Sequence, residues 1–180
     1  SQLYHSIKDY NGNGTDLEVL RHILSQNHNQ RLEMNRNLLQ VFPDLQGKTL
    51  AVWGLSFKKE TNDVRDAASL TAIPDLLRRG AIIQAHDPEA NEEFLKFMQH
   101  QDIDTTNLRL FKDKYEATRG AEALIILNDW RNYSLPDFHL LAENLKQHII
   151  FDGKDLLNYQ QIKEETDFSY YGIGRASIVR

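Results

Sequence analysis

No cysteine occurs among the 180 residues of this chain. That single absence excludes disulfides, thiolate metal sites and cysteine nucleophiles together. The seven histidines are scattered, with no His-Glu-x-x-His and no paired ligand spacing, so no zinc site is expected. His86 and His148, in or beside expected strands, are read as structural. Long apolar runs are missing as well: none approaches the roughly 18–20 residues that a membrane span needs. The opening SQLYHSIKDYNGNG lacks the basic-then-apolar layout of a signal peptide. Positive charge is not in excess. The 21 Lys and Arg against 26 Asp and Glu give a net charge of −5, which speaks against a general nucleic-acid or membrane-surface binder. The default expectation is a cytoplasmic protein with neither partner.

What is present suits one good-sized folded domain, with room for an appendage: 41% hydrophobic and 26% charged residues. Thr15 and Glu18 form a capping box ahead of Leu17, Leu20, Leu24, Met34, Leu38 and Phe42, an apolar stripe at three- and four-residue steps that Pro43 stops. A helix over 15–42 would span roughly 40 Å. It either packs along its own domain or connects and dimerises. From Gly47 onward, strands alternate with helices. Strands are expected at 49–54, 81–87, 108–111, 122–128, 148–152 and 168–174. Helices are expected at 67–79, 89–99, 113–119 and 135–146, the first of them ended by Gly80. This cadence predicts an α/β fold, a doubly wound, mostly parallel six-stranded Rossmann-like sheet in the order 3-2-1-4-5-6, preceded by the long helix.

Ligands of such sheets bind outside the carboxyl ends of the strands, where the strand order reverses. With this order the loops 54–66, 128–134 and 152–158 gather there. The first, GLSFKKETNDVRD, is much longer than the usual two to six residues of such a connection and is dense in charge. It is not a dinucleotide fingerprint, because the next glycine after Gly54 is Gly80. GNG at 12–14 follows no strand and GIG at 172–174 precedes no helix. Anion recognition by side chains is the remaining route, through Lys58, Lys59 and Arg65, with Asp66 as a candidate cap for the next helix. The plainer reading is a solvated loop neutralised by Glu60, Asp63 and Asp66. Trp130 and Tyr133 fit anchoring of their loop better than stacking on a base. Asp152-Gly153-Lys154 is either a tight turn or a glycine-permitted approach to a ligand.

GLSFKKETNDVRD, RRGAIIQAHDP, GAEALIILNDW, IIFDGKDLL and YYGIG follow one another, over about residues 47–175, in an order and spacing that resembles the C-terminal domain of the UDP-glucose/GDP-mannose dehydrogenase family. The resemblance implies a cytoplasmic oxidoreductase of polysaccharide biosynthesis that oxidises the C6 alcohol of a nucleotide sugar to a carboxylate with NAD. It also implies a Rossmann domain for NAD, a central dimerising helical region that supplies a nucleophilic cysteine, and a C-terminal domain that holds the nucleotide sugar, most simply a UDP-sugar. Residues 1–46 then correspond to the end of the dimerising helix region and 47–180 to the nucleotide-sugar-binding domain. By the same resemblance Phe57 and Lys58 lie against substrate and Arg65 reaches the NAD of a neighbouring domain. Lys154 stands where the family carries an arginine, which keeps the charge and loses the bidentate fork. Asn128-Asp129-Trp130 replaces the family's Thr-Glu-Trp. Lys58 and Lys154 are expected to face one crevice from adjacent strand ends. With no fingerprint and no cysteine, the chain is expected to bind substrate but not to turn over. The alternative is a non-catalytic nucleotide-binding or scaffolding module of the same fold.

Overall fold

Thr49–Trp53 (β1) and Ala123–Ile126 (β4) are short runs of apolar residues, buried on both faces, and they lie side by side at the centre of one sheet. Ile82–His86 (β2) and Leu108–Phe111 (β3) extend it on one side, and Ile149–Asp152 (β5) and Ser169–Gly172 (β6) on the other. The order is β3-β2-β1-β4-β5-β6, and every pairing is parallel. The computed structural model describes residues 34–180.

Alternation along the strands sends their side chains to two cores. Leu50, Val52, Ile83, Ala85, Ile125 and Phe151 face the helices Ser69–Arg78 (α1) and Asn91–His100 (α2), which contribute Ala72, Ile73, Leu76, Phe94 and Met98. Ala51, Trp53, Leu124, Ile126 and Ile150 face Phe138–Asn144 (α3) and Tyr159–Glu165 (α4) through Leu141, Leu145 and Ile162. Gly80 ends the α1 region as expected. Its φ is +83°, and its N–H closes on the Leu77 carbonyl at 2.9 Å.

A helical segment at 34–41 lies across α1. Met34, Leu38 and Phe42 are buried in the α1 and α2 core, and the Asn35 amide donates to the Ala72 carbonyl (3.1 Å) and Asp75 (3.0 Å). This end of the apolar stripe therefore serves its own domain. Leu17, Leu20 and Leu24 lie outside the described residues.

Three expectations need correction. Residues 113–119 hold only a 3-10 turn at Glu116–Thr118, because Asp113 caps the Tyr115 and Glu116 amides and Arg119 is already extended. Helix α4 was not expected, although two parallel strands need a crossover between them. Asn158 starts it, accepting from the Gln160 and Gln161 amides. Asp66 does not cap α1. It sits at φ +61°, and the N-cap of α1 is Ala68 with no side-chain bond.

Candidate functional site

The loop from β1 to α1 begins with a close contact. Gly54 has φ +98°, and a Cβ on it would lie 2.3 Å from the Asn128 Cβ and 2.7 Å from the Asn128 nitrogen. Only glycine lets the ends of β1 and β4 meet this closely. The next two residues are fixed by Asp87, at the end of β2 and 3% exposed. Its Oδ2 accepts from Leu55 N (2.7 Å), Ser56 N (3.0 Å), Ser56 Oγ (3.0 Å) and Trp130 Nε1 (3.2 Å). Its Oδ1 accepts from Glu89 N and Ala90 N, both at 3.0 Å, just ahead of α2. The Asn128 amide donates to Ser56 O (2.7 Å) and Ser56 Oγ (2.9 Å), and Ser69 Oγ donates to Leu55 O at 2.6 Å. Residues 54–56 are thus held from β2, β4 and α1 at once.

From that base the loop projects outward. Phe57 is 49% exposed, and Lys58, Lys59 and Glu60 are exposed as well. Its second half folds back on the first: Phe57 N donates to Asp63 O (2.8 Å), and buried Val64 pins the return. Arg65 grips Asp63 with Nε at 2.9 Å, Nη2 at 2.7 Å and its backbone N–H at 3.0 Å. Those bonds hold the Asp63 carboxyl at about 2, well below the usual carboxylate range.

The loop after β5 is built in the same manner. Buried Asp152 accepts from Lys154 N (2.9 Å) through Oδ1, and from Leu156 N (2.8 Å), Leu157 N (2.9 Å) and Tyr170 Oη (3.0 Å) through Oδ2. Burial, then the neighbouring Asp152, push the Tyr170 hydroxyl far above the ordinary tyrosine value, so it stays a donor. Gly153 donates to the Ile126 carbonyl, and a Cβ there would lie 2.9 Å from that same oxygen. Lys154 is left exposed on a fixed backbone.

Between these loops runs the segment after β4. Tyr133 is buried, stacked on Trp53 at 5.1 Å, with its hydroxyl 2.8 Å from His86 Nδ1 and 3.0 Å from His86 O. The Trp130 indole N–H points at Asp87 and Ser56. Both aromatics anchor the loop, and His86 is a structural histidine whose burial pulls its imidazole below the ordinary histidine value. His148 stacks on Phe168 at 5.0 Å and faces Asp167.

The candidate residues therefore fall into two groups. Phe57 and Lys58 top the first loop and Lys154 the third, all at the carboxyl edge of the sheet. Their strands are not adjacent, however: β4 lies between β1 and β5. Among the described residues neither Lys58 nor Lys154 makes an ion pair, whereas Lys59 stands 3.8 Å from Asp129. Arg65, on the returning half of the first loop, is spent on Asp63 and borders an open cleft of about 760 Å³ that Glu93, Lys96, Phe97 and His100 also line. There Lys96 is paired with Glu93 at 2.8 Å, so much of that cleft's charge is neutralised from within.

This switch point does not fit a dinucleotide. The backbone N–H groups that would meet a pyrophosphate are already taken, Gly54 N by the His86 carbonyl (2.9 Å) and Leu55 N and Ser56 N by Asp87. An acid at the end of β2 is the residue that meets a ribose in dinucleotide-binding sheets. Asp87 occupies that place and is turned inward on its own chain. Sequence reasoning took Asp87 only as the last residue of the strand expected at 81–87. Its position after the second strand was the signal.

Residues 51–159 match the UDP-glucose/GDP-mannose dehydrogenase family, UDP binding domain. A UDP-glucose 6-dehydrogenase of Pseudomonas aeruginosa is 34% identical over 163 residues, covering 90% of this chain and 36% of that protein. The UDP-glucose 6-dehydrogenase TuaD of Bacillus subtilis is 31% identical over 165 residues, covering 92% of this chain and 34% of that one. Among solved structures, a UDP-glucose dehydrogenase from the archaeon Pyrobaculum islandicum shares the fold with a TM-score of 0.71 at 23% identity, over 89% of this chain and 33% of that one. The chain spans about a third of the length of these relatives. On the match across 51–159, it belongs to the UDP-glucose/GDP-mannose dehydrogenase family and carries that family's UDP-binding domain.

Proposed function

We propose that this chain is the substrate-binding part of an NAD-dependent nucleotide-sugar 6-dehydrogenase, and that it holds a UDP-sugar such as UDP-glucose between the loops 54–60 and 152–158. The supporting observation is the pairing of two exposed lysines, Lys58 and Lys154, with rigid bases: among the described residues each stands without an ion pair, on a loop fixed by a buried aspartate. A diphosphate supplies the missing negative charge, and each charge-assisted bond is worth about 1.5–3 kcal/mol. Phe57 offers an apolar face beside Lys58, half open to solvent.

Taking the C6 alcohol to a carboxylate would need two NAD in succession, each accepting one hydride, with water supplying the added oxygen. Among the described residues the switch point offers no seat for a dinucleotide, and no step of hydride transfer is assigned to its residues. Arg65 is proposed to face a cofactor held by another part of the enzyme. That role requires its guanidinium, four-fifths exposed, to present the edge not used by Asp63. Residues 1–46 are proposed as the end of a dimerising helix region in a cytoplasmic, homodimeric enzyme.

Titration calorimetry of the chain with UDP-glucose and with GDP-mannose tests the reading. UDP-glucose is expected to bind, with preference over GDP-mannose. Failure of UDP-glucose to bind overturns it.

A further inference from the structure

After β6 the chain turns back on the sheet edge instead of leaving it. Tyr170 and Ile178 exchange backbone bonds (2.8 and 2.9 Å), and Arg180 N reaches Ser169 Oγ at 3.0 Å. Residues 173–177 therefore form a loop tied down at both ends, at the carboxyl end of β6. Ile173 N contacts the Asp152 carbonyl at 3.3 Å. Arg175 then places Nε 2.5 Å from Asp155 Oδ1 and lays its guanidinium over Tyr159, 5.7 Å from the ring centroid. Asp155 has φ +52°, a left-handed conformation that aspartate adopts more readily than most residues.

Two grips thus act on the loop that carries Lys154. Asp152 holds its amides from inside, and Arg175 holds Asp155, the next residue along, from outside. A lysine side chain has four rotatable bonds, so its charge is placed only as well as the backbone beneath it. We propose that Arg175 is a positioning residue for Lys154, a clamp that fixes the 153–155 turn so that the ammonium meets the diphosphate. The proposal rests on the nucleotide-sugar reading of this site. Arg175 acts through Asp155 and Tyr159, and its planar guanidinium is what allows one side chain to pair with the first and stack on the second.

The test uses the 180-residue chain, Arg175→Ala, Arg175→Lys, Asp155→Ala and the Arg175→Ala/Asp155→Ala double variant. Amide hydrogen exchange without ligand reads the clamp directly. In Arg175→Ala, protection at Lys154, Leu156 and Leu157 is expected to fall tenfold or more, while β1 and β4 amides keep theirs. UDP-glucose affinity is expected to weaken about tenfold in Arg175→Ala and to recover only in part in Arg175→Lys, which keeps a charge for Asp155 and loses the planar stack on Tyr159. The double variant is expected to be no weaker than the more affected single one, because one contact is lost either way. Unchanged protection at 154–157 in Arg175→Ala overturns the clamp. Loosened amides with unchanged UDP-glucose affinity overturn the positioning role and leave the nucleotide-sugar reading standing. Absence of UDP-glucose binding by the unaltered chain overturns both.

Discussion

Replacing Asp87 by Asn changes one oxygen for an NH2 group and removes one charge, in a pocket where six donors converge. The cost follows from where the new amide turns. With its nitrogen toward Leu55, Ser56 and Trp130, at least three N–H groups face a donor. Turned the other way, it faces only Glu89 N and Ala90 N, so this is the cheaper choice. Two lost bonds to a carboxylate, at about 1.5–3 kcal/mol each, amount to roughly 3–6 kcal/mol. Against a typical domain stability of about 5–15 kcal/mol, that is a large fraction. Urea unfolding of Asp87→Asn beside the unaltered chain measures it. Asp129→Asn is the control, since its contact with Lys59 at 3.8 Å is exposed on both sides and is expected to cost under about 1 kcal/mol. Amide exchange in Asp87→Asn should accelerate at Glu89 and Ala90 if the amide turns the cheaper way, and at Leu55 and Ser56 if it turns the other. A loss below about 1 kcal/mol, with all four amides still protected, refutes the claim that Asp87 holds its neighbours in place.

Lys58→Ala is expected to weaken UDP-glucose binding about tenfold or more, 1.4 kcal/mol being a factor of ten, while Lys154→Arg is tolerated or tighter and Lys59→Ala matters less; calorimetry reads all three. Mixed with NAD and UDP-glucose, the chain is expected to show no NADH absorbance, and turnover by pure protein would contradict the assignment of substrate binding alone. Gly54→Ala is expected to cost about 3 kcal/mol or more, since the added Cβ meets Asn128 at 2.3 Å and the φ of +98° disfavours any side chain; thermal unfolding checks it. His86 resists protonation in the fold, so its contribution to stability is present above about pH 6.5, the unfolded-chain value, and is lost as pH falls from there toward the lowered folded-state value. That loss is at most about 1.4 kcal/mol per pH unit. Denaturant unfolding at pH 7.5 and 5.5 should show a smaller pH difference in His86→Gln.

Much of the fold was legible because its signal is local. The apolar runs of β1 and β4, the Gly80 stop and the alternation of strand with helix lead directly to the six-stranded order. Helix α4 was missed because its inward stripe is little more than Tyr159 and Ile162, too short to show a period. The connection between parallel β5 and β6 demanded it all the same. The site was legible at the level of loops and not of bonds. Lys58, Arg65 and Lys154 look alike in sequence as loop cations, and only the folded loop shows Arg65 closed on Asp63, two residues before it, while among the described residues the two lysines make no ion pair. Asp87 and Ser56 lie 31 residues apart, so no local pattern announces that one holds the other.

The central claim is that a UDP-sugar sits between the loops after β1 and β5. Titrating the 15N-labelled chain with UDP-glucose and following its backbone amides tests that most directly. Shifts are expected to cluster at residues 57–60 and 153–155. Shifts confined to residues 61–65 and 93–100, around the cleft beside α2, would contradict it.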